Sequence, residues 1–260
     1  RGLQPNYHDD LIGHKAKRDM EAGEFFYPSD LREYSFDARP YHFRRSWGVP
    51  VRYHDYRAIL AKTNPDLLEF HFSYKDLDLD YRGYLQSIYS ELGYVVHAPE
   101  LFADDHLLDL CSEDLVYREH SIAELQRVIE LTRELNEFFP STTRPLIVTN
   151  IGGFSTDQVL SEPEIIKKED LLEDSLGRLD RKGIEIIVQT MPPYPWHFGG
   201  QSHHNIFVDS DHIVRLCERL ELRICLDISH SKLACNHLNQ SFKEFVEKVG
   251  PYAAHLHIAD

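Results

Sequence analysis

Two short stretches carry residue types suited to chemistry. Cys225-Leu226-Asp227-Ile228-Ser229-His230 is an apolar run of strand type that ends in an aspartate and a histidine three apart. Ala253-Ala254-His255-Leu256-His257-Ile258-Ala259-Asp260 is a second such run, ending in imidazoles and a carboxylate. An aspartate and a histidine three apart, where a strand runs out, can both reach one cation, and a neighbouring strand end supplies further imidazoles. The plainer reading is that Asp227 caps the helix that follows and His230 is a surface histidine. The elements around these residues have to decide between the two.

Strand and helix signals alternate along the chain. Extended segments fall at 46–54, 67–73, 94–99, 145–153, 184–190, 223–227 and 254–258. Helical patterns fall at 55–63, 81–92, 120–138, 163–180, 210–220 and 241–248. Strands separated by helices imply parallel crossovers, and strands apolar on both faces imply a sheet covered by helices. The fold class is α/β. An open doubly wound sheet is disfavoured, because no Gly-rich phosphate fingerprint follows any strand. A (β/α)8 TIM barrel is expected, truncated after its seventh strand. In such a barrel the residues at the C-terminal strand ends build the active site.

Composition narrows the function. With 260 residues, 42% of them hydrophobic, the chain can bury one large core. No apolar run reaches the roughly 18 residues of a membrane span, and the opening Arg1-Gly2-Leu3-Gln4-Pro5 is not a signal peptide. Cys111, Cys217, Cys225 and Cys235 show no CxxC spacing, so they read as reduced thiols of a cytoplasmic protein. A net charge of −15 argues against nucleic acid as a partner. An incomplete barrel leaves strand edges open, and self-association is the expected consequence.

Residues 46–260 resemble the xylose isomerase-like TIM barrels, a group of sugar isomerases, epimerases and apurinic-site (AP) endonucleases. The likeness rests on Tyr94-Val95-Val96-His97-Ala98-Pro99, Leu226-Asp227-Ile228-Ser229-His230 and His255-Leu256-His257-Ile258-Ala259-Asp260. Residues 1–31 resemble the end of the antifreeze-like (SAF) domain of sialic acid synthases. That likeness rests on Leu11-Ile12-Gly13-His14-Lys15-Ala16, Arg18-Asp19-Met20-Glu21-Ala22-Gly23 and Ser29-Asp30-Leu31. Short β segments are expected there, and a linker over 32–45. Together the two resemblances imply an isomerase-type barrel appended to a sialic acid synthase-like protein.

The barrel resemblance implies a divalent metal (Mn, Zn, Co or Mg) held by Asp227, His257 and Gln189. It makes His230 either a ligand, as in the endonuclease branch, or a neighbour of the ligands. His97 and His230 are the candidates for moving protons. Two departures stand out: Gln189 replaces the usual glutamate at the fifth strand end, and Asn150 is neutral at the fourth. An amide oxygen is a poorer ligand for a hard cation than a carboxylate. A barrel that has lost its metal and binds sugar through polar groups alone therefore stays open.

The stretch 191–205, with Trp196, His197, His203 and His204, is expected to cover the mouth and contact substrate together with Asn150. Glu69 and His71 share one face of their strand and point either into the mouth or into the barrel interior with buried partners, the latter being the stronger expectation. Three functions follow: a sugar or sugar-phosphate isomerase or epimerase in sialic (nonulosonic) acid biosynthesis, a non-catalytic carbohydrate-binding module, or a metal-dependent AP endonuclease.

Overall fold

The computed structural model describes residues 3–4, 8–13, 15–27, 30, 42–194 and 202–258. It divides into two compact units, residues 1–42 with 58–64, and residues 43–57 with 65–260.

The described part of the smaller unit contains no strand. His8–Leu11 is one helical turn. The short β segments expected over 11–26 are therefore corrected to turns and irregular chain. Only isolated backbone bonds link the segment, Leu3 N to Phe26 O at 2.6 Å and Lys17 N to Asp30 O at 2.8 Å, and a ladder needs a run of them. Arg18 organises the piece instead, donating to Asp30 at 2.8 Å and to Glu24 at 2.7 Å. Most of the expected linker lies outside the described residues.

The larger unit is a seven-stranded parallel sheet with helices outside. In chain order the strands are β1 (Gly48–Val51), β2 (Leu67–His71), β3 (Gly93–His97), β4 (Leu146–Thr149), β5 (Phe154–Thr156), β6 (Glu185–Gln189), β7 (Ser202–His204), β8 (Arg223–Asp227) and β9 (Ala253–His257). The main sheet runs β1-β2-β3-β4-β6-β8-β9. Residues β5 and β7 form a separate antiparallel pair, with Ser155 opposite His203. The long helices are Leu115–Leu135, Glu162–Gly177 and Ser210–Leu220. Asp114, Ser161 with Glu164, and Asp209 cap their N-termini.

The sheet is curled into a half-barrel, as one contact shows. Strands β2 and β9 are five steps apart, which in a flat sheet is about 24 Å. Yet the Glu69 carboxylate on β2 meets His255 on β9 at 2.6 Å. The inner face below the mouth is filled by Val95, Val148, Ile187 and Cys225, one from each of four adjacent strands. The outer face packs Leu68, Phe70, Ile147, Ile186, Val188 and Ile224 toward the helices, all buried.

One expected element differs. The helix at 81–92 is only a 3-10 turn at Tyr81–Gly83. Tertiary bonds displace it: Tyr89 N donates to Phe138 O at 2.7 Å rather than to a carbonyl one turn back. The helix at Ile228–Leu238 starts directly after β8, as the capping reading of Asp227 expects.

Candidate active site at the barrel mouth

Strand alternation puts every second residue inside the curl. On β2 these are Leu67, Glu69 and His71. On β3 they end at His97, on β6 at Gln189, on β8 at Asp227 and on β9 at His257. The register aligns His71 with His97 and Asp227 with His257. Five residues singled out in the sequence, His97, Gln189, Asp227, His230 and His257, form one polar network.

Asp227 has two jobs, one for each oxygen. Its Oδ1 accepts from His230 N at 2.9 Å and Ser229 Oγ at 2.8 Å, capping the Ile228–Leu238 helix. Its Oδ2 turns inward, 2.9 Å from the Gln189 amide nitrogen, 3.5 Å from His257 Nδ1 and 3.6 Å from His230 Nδ1. One oxygen caps the helix and the other faces the mouth. His230 Nδ1 also lies 3.1 Å from the Thr190 carbonyl. A carbonyl only accepts, so Nδ1 carries the proton there and Nε2 remains the basic nitrogen.

Glu69 lies deeper. His71 Nε2 meets its Oε1 at 2.6 Å and His255 Nε2 meets its Oε2 at 2.6 Å. His257 Nε2 lies 3.0 Å from Oε1 and 3.1 Å from Oε2. Burial opposes ionisation of Glu69, but the hydrogen bonds from His255, His257 and His71 outweigh it and hold the carboxyl well below the usual carboxylate range. Burial opposes ionisation of Asp227 in the same way, and the bonds from His257 and His230 N win there too, so its carboxyl is also held low. His257 stands between the two. Burial would lower it, but Asp227, Cys225 and Glu69 push it up to about 12. Burial, with the adjacent His71 ring, pulls His97 down to about 4.

The bonding of Gln189 tests whether a cation fits. His97 Nδ1 lies 3.0 Å from the Ala98 carbonyl and must donate to it. The neutral ring then keeps a lone pair on Nε2, which faces the Gln189 side-chain oxygen at 3.1 Å. Two acceptors confront each other. The two ends of an amide are nearly isosteric. Turning this one over gives its NH2 to His97 but sets its oxygen 2.9 Å from Asp227 Oδ2, another acceptor. Either orientation leaves acceptors face to face. A divalent cation among Gln189 Oε1, Asp227 Oδ2 and His257 Nδ1 removes the conflict. Ligand atoms about 2.1 Å from one cation stand about 3 Å apart. The amide end that faces these groups, Nε2 here and Oε1 once the amide is turned over, lies 2.9 Å from Asp227 Oδ2 and 3.2 Å from His257 Nδ1, and Asp227 Oδ2 lies 3.5 Å from His257 Nδ1. The donor set fits.

By residue type alone, Glu69, His255 and His257 form a second metal-competent group, with ligand atoms all within 4.8 Å of one another. Its 2.6 Å contact between Glu69 and His255 is a hydrogen-bond length, and the Glu69 carboxylate already accepts from three imidazoles.

Other candidates lie apart. The Asn150 side-chain oxygen is occupied by Gly152 N at 3.0 Å and His204 Nε2 at 3.1 Å. His203 packs against the Tyr194 ring, centroids 5.0 Å apart. Trp196 and His197 lie outside the described residues. Arg52 is paired with Asp76 at 2.9 Å. Glu69 points into the barrel interior among partners, the stronger of the two expectations for it, while no role is expected for His255. The signal was present in the two-residue alternation: Glu69 and His71 share a face, as do His255 and His257.

The described helices include none long and apolar enough to cross a membrane. Solved structures share the fold. A D-tagatose 3-epimerase-like protein superimposes with a TM-score of 0.56 at 20% identity, covering 83% of this chain and 76% of its own. D-psicose 3-epimerase from Clostridium cellulolyticum H10, solved with D-tagatose, gives 0.55 at 13% identity, covering 82% and 72%. The apo form of 3-keto-D-glucoside 4-epimerase from E. coli gives 0.56 at 13% identity, covering 84% and 80%. No curated protein matches the sequence. The family model described as "Xylose isomerase-like TIM barrel" matches residues 53–260, and the chain belongs to that family.

Proposed function

We propose that the barrel binds a small sugar or sugar phosphate at its mouth and removes a proton from a carbon beside a carbonyl, which is returned to the neighbouring carbon in an isomerase or to the other face of the same carbon in an epimerase. The observation that carries this reading is the convergence of Gln189, Asp227 and His257 from three adjacent strand ends, with His230 beside them. The family and the sugar epimerases that share its fold support the substrate class. Gln189, Asp227 and His257 would hold a divalent cation, which when bound polarises a sugar carbonyl or hydroxyl and acidifies the adjacent C–H. His230, whose Nε2 is left basic, takes the proton and, in an isomerisation, returns it to the neighbouring carbon. Buried His97 fixes the Gln189 amide through its Nε2 lone pair. The resemblance of residues 1–31 to a sialic acid synthase domain supports a place in sialic (nonulosonic) acid biosynthesis.

A second reading is a non-catalytic carbohydrate-binding module. Gln189 supports it, being neutral where a carboxylate base would stand. The acidic balance of the chain, −15, speaks against the endonuclease reading.

The test is exchange of substrate C–H protons with solvent deuterium, followed by NMR on a panel of ketoses, hexosamines and their phosphates with added Mn2+ or Co2+. Sugar-dependent exchange that is lost in His230→Ala supports the enzyme. Saturable sugar binding with no exchange on any member of the panel favours the binding module.

A further inference from the structure

The geometry points to Glu69 as a positioning residue that decides which nitrogen of His257 faces the mouth; the inference rests on the reading of the mouth as a cation-dependent sugar site. An imidazole offers a cation either of two nitrogens, and which one is free depends on what the other bonds. A carboxylate has only acceptor atoms. His257 Nε2 lies 3.0 Å and 3.1 Å from the two Glu69 oxygens, so it carries a proton whatever the charge of the ring. The nitrogen left to release its proton and bind is Nδ1, and Nδ1 is the one beside Asp227 Oδ2 and the Gln189 amide.

Glu69 is itself held in place. His71 anchors Oε1 from one side and His255 anchors Oε2 from the other, both at 2.6 Å, and the Glu69 side chain is 7% exposed. The brace spans the barrel interior: Glu69 stands on β2, while His255 and His257 stand two residues apart on β9. A half-turn of the His257 ring would put the Cε1 carbon where Nε2 meets Glu69 and the Cδ2 carbon where Nδ1 meets Asp227, so one ring orientation serves both contacts. The arrangement is that of a carboxylate orienting a metal-bound imidazole from behind, a relationship whose loss typically weakens metal binding 10–100-fold.

The test uses the full chain labelled with 15N-histidine, as wild type and as Glu69→Gln. The glutamine side chain keeps the shape, but its NH2 cannot accept from an imidazole N–H. Zinc affinity is measured by competition, and long-range 1H–15N spectra report which ring nitrogen is protonated. In the wild type, zinc should sit on Nδ1 of His257 with Nε2 protonated. In Glu69→Gln we expect zinc binding weakened about 10–100-fold and a second His257 tautomer, with unchanged circular dichroism. Unchanged affinity and a single tautomer in the folded variant would overturn the inference. So would two zinc equivalents in the wild type with one lost in the variant, which would make Glu69 a ligand. If the wild type takes up no cation, the reading of the mouth fails, but the nitrogen of His257 that keeps its proton in each protein still decides the role of Glu69. Should Glu69→Gln not fold, Glu69→Asp withdraws the carboxylate by one methylene and is expected to show the same changes in smaller degree.

Discussion

Asp227 and His230 are joined twice, and the two contacts belong to different functions. The His230 backbone N–H donates to Oδ1 at 2.9 Å, which starts a helix, while the His230 ring lies 3.6 Å from Oδ2, which faces the mouth. Substitutions can separate the two. Asparagine keeps an oxygen for the cap and is itself a favoured capping residue. Asp227→Asn should therefore keep the cap and lose only what the charge beside His257 contributes in urea unfolding, measured without divalent cations. It should bind Mn2+ at least about tenfold more weakly, because a carboxylate ligand has become neutral. Asp227→Ala should lose cation binding and a further ~1 kcal/mol of stability from the cap. Equal cation affinity in Asp227→Asn and the wild type would remove Asp227 from the site.

The loop after β4 depends on a glycine. Gly152 has φ +85°, and a Cβ built there would lie 2.2 Å from Asp109 Oδ1 and 2.4 Å from Asp109 Cα. Asp109 cannot retreat freely, since its Oδ1 accepts from Gly153 N and Cys111 N, both at 2.9 Å. Left-handed strain of about 1–2 kcal/mol adds to an overpacking cost of about 1–3 kcal/mol. Gly152→Ala should thus lose about 2–5 kcal/mol in equilibrium urea unfolding. It should also disturb the Asn150–His204 contact, because Gly152 N donates to the same Asn150 oxygen. A loss below about 1 kcal/mol would mean that the loop relaxes around the methyl group.

The parallel strands and the positions of Asp227 and His257 at their ends were legible from apolar runs broken by Gly and Pro. Neighbouring strands pair in chain order, so local signals sufficed. Glu69 was harder. Its partners His255 and His257 lie far along the chain, and only the curl of the sheet brings β2 opposite β9. A glutamate in an apolar strand reads as an isolated polar residue until the lumen is closed around it. The helix at Ile228–Leu238 was legible only through the capping reading of Asp227, because Ser229 and His230, which begin it, also suggest a ligand motif. The helix expected at 81–92 failed because tertiary bonds, such as Tyr89 N to Phe138 O, outcompeted a segment interrupted by Gly83.

The charges around His257 set a pH dependence for the cation-free protein. Glu69 and Asp227 are held low, so their contribution is present above the unfolded carboxylate range, about pH 4–4.5, and is lost as pH falls through the folded values. His257 is pushed up to about 12, so its contribution is complete below an unfolded value of about 6.5 and is lost as pH rises toward 12. Stability without cation should peak between about pH 4.5 and 6.5. His257→Gln should flatten the decline above that window. Cation binding must also remove the Nδ1 proton of His257, so Mn2+ affinity should rise with pH, with up to one proton released per ion. Calorimetry in buffers of different ionisation enthalpy would count that proton. An affinity that is flat from pH 6 to 9 would take His257 out of the coordination.

Gln189 is where this barrel departs from a carboxylate-rich mouth, and one substitution can show what the departure does. Gln189→Glu replaces an amide that must choose which end faces Asp227 with a carboxylate that accepts at both ends. Without a cation, its oxygens would confront Asp227 Oδ2 at 2.9 Å and the His97 Nε2 lone pair at 3.1 Å, two repulsions inside a buried site. With a divalent cation, the added negative charge sits beside the ion. The variant should therefore melt at lower temperature than the wild type in chelator and regain the loss in saturating Mn2+. Its Mn2+ affinity should be at least about tenfold higher, since ligand charge count sets affinity at oxygen-rich sites. A variant equally stable in chelator and no tighter for Mn2+ would place the Gln189 side chain outside the ion's reach. The module reading would then be preferred, because a mouth built for sugar hydroxyls alone gains nothing from a third carboxylate.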